Sequence, residues 1–431
     1  MRNNTLALLG GSPLNDRPVP PYNTIGAAEK AAVAEVLDSG DLSGFVASPG
    51  DAFWGGRAVR ALEQSFREHF DVNHAIAVNS ATSGLHCAVA AMDIGPGDEV
   101  IVPPFSMTAT ATAPFMLGAL PVFADIDDRT FGLEPAAVEA AISPCTRGII
   151  GVNLFGHPAR LDELRAIAKR HNLFLIEDNA QAPDATYFGR KTGTIGDAGV
   201  FSFNRHKTMQ AGEGGVIITN DERIALKAAL FRNHGEGLVG PMAIDDIVNT
   251  AGLNYRMTEM EAAVANVQFG KLTSLNAERV ALAERLSAGL AALPGISPPV
   301  VEKNCSHVYY FHVSRFDEAK AGLPRDLFVQ AVAAEGYPIR SGYVSPIYLE
   351  PMYQRRVGIG RSGFPFSSHP RRDVSYDRGI CPTVERLQDT ELFLTNFIYR
   401  PLTEVDMDGF VDACVKVLDQ REALLTWQKR S

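Results

Sequence analysis

Long hydrophobic runs are missing from this 431-residue sequence. No apolar stretch approaches the roughly 20 residues needed to cross a bilayer, so no membrane partner is expected. The opening residues, "MRNNTLALLGGS", carry one Arg and only the short apolar piece "LALL". That is too short for the apolar centre of a signal peptide, which makes a cytoplasmic protein the expectation. Cysteine is sparse. Cys87, Cys145, Cys305, Cys381 and Cys414 are odd in number, widely spaced and contain no CxxC pair. Neither a disulfide framework nor a zinc knuckle is supported, so no metal is expected and buried free thiols are the plain reading. Positive charge is in deficit, with 40 Lys and Arg against 50 Asp and Glu, a formal net charge of −10. Phosphate backbones are gripped mostly by Lys and Arg, so nucleic acid is not an expected partner. Internal repeats and low-complexity tracts are absent as well.

What is present is the composition of an ordinary globular protein, in a length that suits one large domain with a smaller companion. Residues 1–50 are rich in Pro and Gly around a helical stretch at 27–37, which predicts an arm lying over the rest. Beyond it, strand-like and helix-like segments alternate. "HAIAVN", "DEVIVPP", "LPVFADI", "RGIIGVNLF" and "LFLIED" read as strands, and "TSGLHCAVAAM", "ATATAPFML", "EPAAVEAAI" and "LDELRAIAKRH" as the helices between them. "AGVFSF" and "GVIITN" add two more strands before the helix "DERIALKAALFR". The strands are mostly continuous apolar runs, as expected of strands buried on both faces. The fold class is therefore α/β, a mostly parallel sheet between helices. A helical pattern from Thr258 ends at "LPGISPP", which sets the boundaries of a large domain over 51–294 and a small α+β domain over 295–431.

In open α/β sheets ligands bind beyond the carboxyl ends of the strands. "AVNSATSGLH" places Ala81 and Thr82 there, at a helix start whose free N–H groups suit phosphate. A plain helix cap reads the same way. "LFLIEDNAQA" ends a buried strand on Asp178, with Gln181 one turn on. A carboxylate there needs a partner, either a salt bridge or cap, or the protonated ring nitrogen of a cofactor. "FSFNRHKTMQAGEGGVIITND" then sets Lys207 after a buried strand and ahead of Gly212-Glu213-Gly214-Gly215, with Ser202 five residues before it. A buried lysine of depressed pKa can form a Schiff base. A phosphate site, a strand-end Asp and this Lys together specify pyridoxal phosphate (PLP). Glycines after the lysine would keep side chains clear of the cofactor.

At this point the sequence resembles the DegT/DnrJ/StrS sugar aminotransferases, PLP enzymes of fold type I. The likeness is carried, over most of the chain, by "NSATSGLH", "GDEVIVPPFSMTATA", "LPVFADID", "IEDNAQA", "FSFNRHKTMQAGEGGVIITND" and "GLNYRMTEMEAA". The resemblance implies a catalytic Schiff-base lysine at Lys207 and a pyridine-nitrogen partner at Asp178. Gln181 stands at a cofactor-ring position, and Ala81, Thr82 and Ser202 at phosphate positions. Asn254 stands where an asparagine reaches the phosphate from a neighbouring subunit, which implies a homodimer with shared active sites. Two departures stand out. Met107 occupies the place of an aromatic residue stacked on the ring, with Phe105 two residues earlier. Arg205 and His206, beside the lysine, are more charged than in many relatives, which fits either a substrate contact or a solvated loop.

The implied reaction is ping-pong transfer of an amino group from L-glutamate or L-glutamine to a keto sugar, usually nucleotide-linked. A keto cyclitol in antibiotic biosynthesis, or dehydration of a sugar, are the alternatives. A dehydratase branch carries histidine in place of the lysine, whereas here Lys207 is present. Tyr343 and Arg340 in "RSGYVSPIYLEPMY" are candidates for the acceptor site, and His312 reads equally as a packed strand residue. Arg361, Arg371 and Arg372 are read either as charge for a nucleotide or as a solvated loop.

Overall fold

The computed structural model describes residues 5–430. Residues 1–4 of the expected arm, and residue 431, lie outside the described residues.

The alternation read in the sequence builds a seven-stranded sheet. Its strands are β1 (His74–Val78), β2 (Glu99–Val102), β3 (Leu120–Phe123), β4 (Thr146–Val152), β5 (Phe174–Asp178), β8 (Ala198–Ser202) and β9 (Gly215–Thr219). A small hairpin, β6 (Thr186–Tyr187) and β7 (Arg190–Lys191), interrupts the series. The order across the sheet is β1-β9-β8-β5-β4-β2-β3. Every pairing from β8 through β3 is parallel, and β9 runs antiparallel to both neighbours. Nearly every residue of β2, β5, β8 and β9 is buried. Helices α1 (Ala27–Ser39), α2 (Arg57–Phe70), α3 (Ala81–Ala91), α4 (Ala109–Met116), α5 (Pro135–Ala141) and α6 (Leu161–His171) come first. They are followed by α7 (Glu222–Arg232), α8 (Glu259–Phe269) and α9 (Leu272–Leu290). Several of them pack on the sheet from both faces.

From residue 296 the chain forms a four-stranded antiparallel sheet, β10 (Ile296–Ser297), β11 (His312–Phe316), β13 (Leu392–Thr395) and β12 (Arg340–Ser341), in that order. Helices Arg325–Ala334 and Glu404–Asp419 share its core with the long α9. The N-terminal arm docks on this unit. Leu6 is fully buried there, and the Glu335 carboxylate accepts from the backbone N–H groups of Ala7 at 2.8 Å and Leu14 at 3.0 Å. Among the described residues no helix is long and apolar enough to cross a membrane.

Candidate active site

Strand alternation sends the two acidic residues at the end of β5 to opposite faces. Glu177 is fully buried and accepts from the amides of Gly193, Ile195 and Gly196 at 2.6–2.7 Å, so it fixes the loop before β8. Asp178 faces the other way. It is buried and accepts from the Ala180 amide at 3.1 Å and the Thr110 hydroxyl at 3.2 Å. Burial pushes its pKa up, while its hydrogen bonds and the positive charge of Lys207 act against that. No ion pair reaches it among the described residues. A buried carboxylate in this state is short of one cationic partner.

Lys207 lies beyond the end of β8, the strand next to β5. Its loop is closed on itself. The Arg205 amide donates to the Gly212 carbonyl at 3.1 Å, the Lys207 amide to the Asn204 carbonyl at 2.8 Å, and the Asn204 side chain to Glu213 at 3.0 Å. Lys207 is half-buried, and its amine makes no hydrogen bond among the described residues. It rests over the Tyr310 ring, 4.5 Å from the centroid. Removal of the amine from water pulls its pKa down to about 8, and the charge of Asp178 raises it only in part.

The same edge of the sheet presents the start of α3. The Ser80 hydroxyl caps the helix by accepting from the Ser83 amide at 3.1 Å. Ala81 and Thr82 occupy the first turn, and Thr82 is exposed. Gly215 pairs with Ser202 across the β8–β9 ladder. A Cβ on Gly215 would sit 2.8 Å from the Ala81 nitrogen. Glycine therefore lets Ser202 and the α3 N-terminus close on one another. Gly215 thus makes room for a helix end. Gly212, with φ of +86°, supplies a left-handed turn that glycine favours.

The remaining predicted residues divide. Gln181 is buried, with its carbonyl accepting from the Phe155 amide at 2.9 Å and its amide donating to the Tyr343 hydroxyl at 3.0 Å. Arg205, His206 and Tyr343 line one cavity of about 640 Å³, together with Arg279, Tyr310 and Arg340. Among the described residues no carboxylate lines it. The Arg340 guanidinium lies over the Phe311 and Tyr343 rings, at 5.3 and 5.8 Å. Met107 is 63% exposed, whereas Phe105 is buried against Tyr343 with ring centroids 5.3 Å apart. Asn254 is exposed, outside that cavity, on a segment bridged to Asn233. His312 is buried between Ser287 and Ser314, with its pKa pulled down to about 3 by burial, and is a packed strand histidine. Arg371 pairs with the buried Glu99 at 3.0 Å and with Asp373 at 3.0 Å, Arg372 donates to the Phe366 carbonyl, and Arg361 is exposed. Arg371 thus holds its loop to the sheet, and Arg372 closes the loop on itself.

Sequence reasoning missed Tyr310. It stands in "HVYYFHVSRF", of which only 312–316 is strand. Tyr309 takes φ of +49°, and the Val308 amide donates to the Gly156 carbonyl at 2.9 Å. That turn brings Tyr310 to the lysine.

The residues fit PLP. A carboxylate short of a cation, an open helix N-terminus beside a strand-end serine, and a primary amine of lowered pKa meet at one sheet edge. Comparison with known proteins agrees. The family model for the DegT/DnrJ/EryC1/StrS aminotransferase family matches residues 24–375. The spore coat polysaccharide biosynthesis protein SpsC of Bacillus subtilis (strain 168) is 34% identical over 353 residues, 80% of this chain and 88% of SpsC. A solved aminotransferase from Psychrobacter cryohalolentis is 31% identical with a TM-score of 0.81, covering 94% of this chain and 99% of its own. DesI, solved in the presence of its TDP-sugar product, is 29% identical with a TM-score of 0.79, covering 99% of both chains. The chain belongs to the DegT/DnrJ/EryC1/StrS aminotransferase family and is a PLP-dependent aminotransferase.

Proposed function

We propose that the enzyme moves an amino group from L-glutamate or L-glutamine to a nucleotide-linked keto sugar by a ping-pong mechanism, with Lys207 as its catalytic residue. One observation carries the site assignment. Among the described residues the Lys207 amine has no hydrogen bond and Asp178 no ion pair, and the two stand beyond the ends of neighbouring buried strands. Bound there, PLP supplies an electron sink for the bond breaking next to the amino group. Asp178 is the residue to keep the ring nitrogen protonated, and its need for a cation supports that role. Ala81, Thr82 and Ser202 are the residues to hold the phosphate. Gln181, tied to Phe155 and Tyr343, is suited to brace the ring from one side. Exposed Met107 leaves its own contact to be made by the ligand.

The chain's part in the chemistry is proton handling. With a pKa of about 8, the Lys207 amine is mostly charged at neutral pH but gives up its proton at modest cost. That suits a group that must both take and return a proton. Arg205, Arg279 and Arg340 line the cavity with no carboxylate among its lining residues, which supports an anionic acceptor. The likeness to DesI points the same way. Asn254, exposed on its own chain, supports a site completed by a second subunit.

A visible absorption spectrum tests the core of this reading. The purified protein should show a cofactor band that bleaches with L-glutamate or L-glutamine, and Lys207→Ala should show no such band. A band indifferent to both donors would remove them from the mechanism. Absence of a band after added PLP would sink the site assignment. Amine transfer to a nucleotide-linked keto sugar, set against a keto cyclitol, then decides the acceptor.

A further inference from the structure

Lys207 brings a half-buried amine to this site, yet no hydrogen bond reaches that amine among the described residues. The face of Tyr310 lies 4.5 Å from it. A ring face attracts a cation through its quadrupole, most strongly where water is excluded. We propose that Tyr310 is a positioning residue for Lys207, a seat for the ammonium whenever the amine is free. The inference rests on the reading of Lys207 as the working lysine of the site.

The surrounding groups leave the ring little competition. From β5, Asp178 contributes an attraction, but no ion pair between the two forms among the described residues. On the lysine's own loop, Arg205 and His206 are exposed. From the small-domain side come Arg340 and Tyr343, and from α9 comes Arg279, which donates to the Tyr310 carbonyl at 3.4 Å. The arginines are cations and offer the ammonium nothing. Burial pushes the Tyr310 hydroxyl pKa up, so it stays neutral. No hydrogen bond to that hydroxyl occurs among the described residues. The function lies in the ring and not in the oxygen.

A transaminase lysine is released from its cofactor in every turnover and must be found again. A long unbranched side chain has much rotamer freedom to lose. Tyr310 narrows that search and stabilises the charged form without a counter-ion that would block the proton's return.

The test is the pKa of Lys207 itself. Full-length protein, cofactor-free and with the amine form of the cofactor, is acetylated competitively over a pH series. Mass spectrometry of the peptide holding Lys207 gives its apparent pKa. This measurement needs no turnover, so it stands apart from the spectral test of the site lysine. Tyr310→Phe should keep the wild-type value. Tyr310→Leu should lower it by about 0.4–1.5 units, the size of a cation–π contact. In turnover, Leu should lower kcat with little change in donor KM, and Phe should restore it. If Leu fails to fold, Tyr310→Met takes its place with the same expectation. An unchanged or raised pKa in the ring-less variant would overturn the proposal, as would a fall in Tyr310→Phe equal to that in Leu.

Discussion

Lys207 and Asp178 are perturbed by the same cause, burial, in opposite directions. Each charged form is disfavoured by loss of water, and each partly relieves the other. The consequence for Lys207 can be signed. Below about pH 8 the amine is protonated and cannot attack a carbonyl, while above it the free base predominates. Capture of added PLP by the cofactor-free protein should therefore quicken as pH rises through about 8. Stopped-flow growth of the visible band measures it. A rate that climbs only near the pKa of an ordinary lysine would mean that the amine is not desolvated in solution. Asp178 has the reverse sign for the fold. Its raised pKa means that stability contributed by the protonated acid is lost as pH rises from the unfolded value through the folded one.

Elements of structure carry the site as much as single groups do. Glu177 gathers three amides of the loop ahead of β8, whose far end leads to Lys207. Glu177→Ala leaves those donors buried and unsatisfied, which should cost about 3 kcal/mol by the usual penalty for such groups. Urea unfolding of the cofactor-free protein checks this, and a loss under about 1 kcal/mol would show that the loop finds other partners. Much at this scale was legible in the sequence. Continuous apolar runs gave the strands, because a strand covered on both faces has no polar side to show. Small hydroxyl residues at a strand end and a lysine ahead of glycines marked the edge. What could not be read were contacts made by turns. Tyr309 in a left-handed conformation ends the apparent strand early, and no propensity rule places the next side chain over a lysine about a hundred residues earlier. The same holds for Arg371. It sits in a loop that looks solvated, but it answers the buried Glu99 on β2.

At the scale of the whole molecule, the exposed Asn254 and the cavity lined by arginines are the features on which the proposed shared site and anionic acceptor rest. Mixing Lys207→Ala with Asn254→Ala subunits tests the shared site. If each site borrows Asn254 from its neighbour, hybrids regain one intact site, and the mixture should exceed the summed activity of its parents. No gain, with subunit exchange verified, would place Asn254 outside the neighbouring site. The sheet order has a further consequence, for how the protein is made. Strand β1 lies at the edge, and its single neighbour is β9, with β8 and β9 standing between it and β5. On the ribosome, residues 74–78 emerge early and find no partner until 215–219 follow. Leu6 waits longer still, for the core around Glu335. Synthesis at about 5–20 residues per second leaves both apolar segments bare for many seconds. The segments made first are thus the ones that wait longest for their partners, and they are the ones most in need of a chaperone while translation continues.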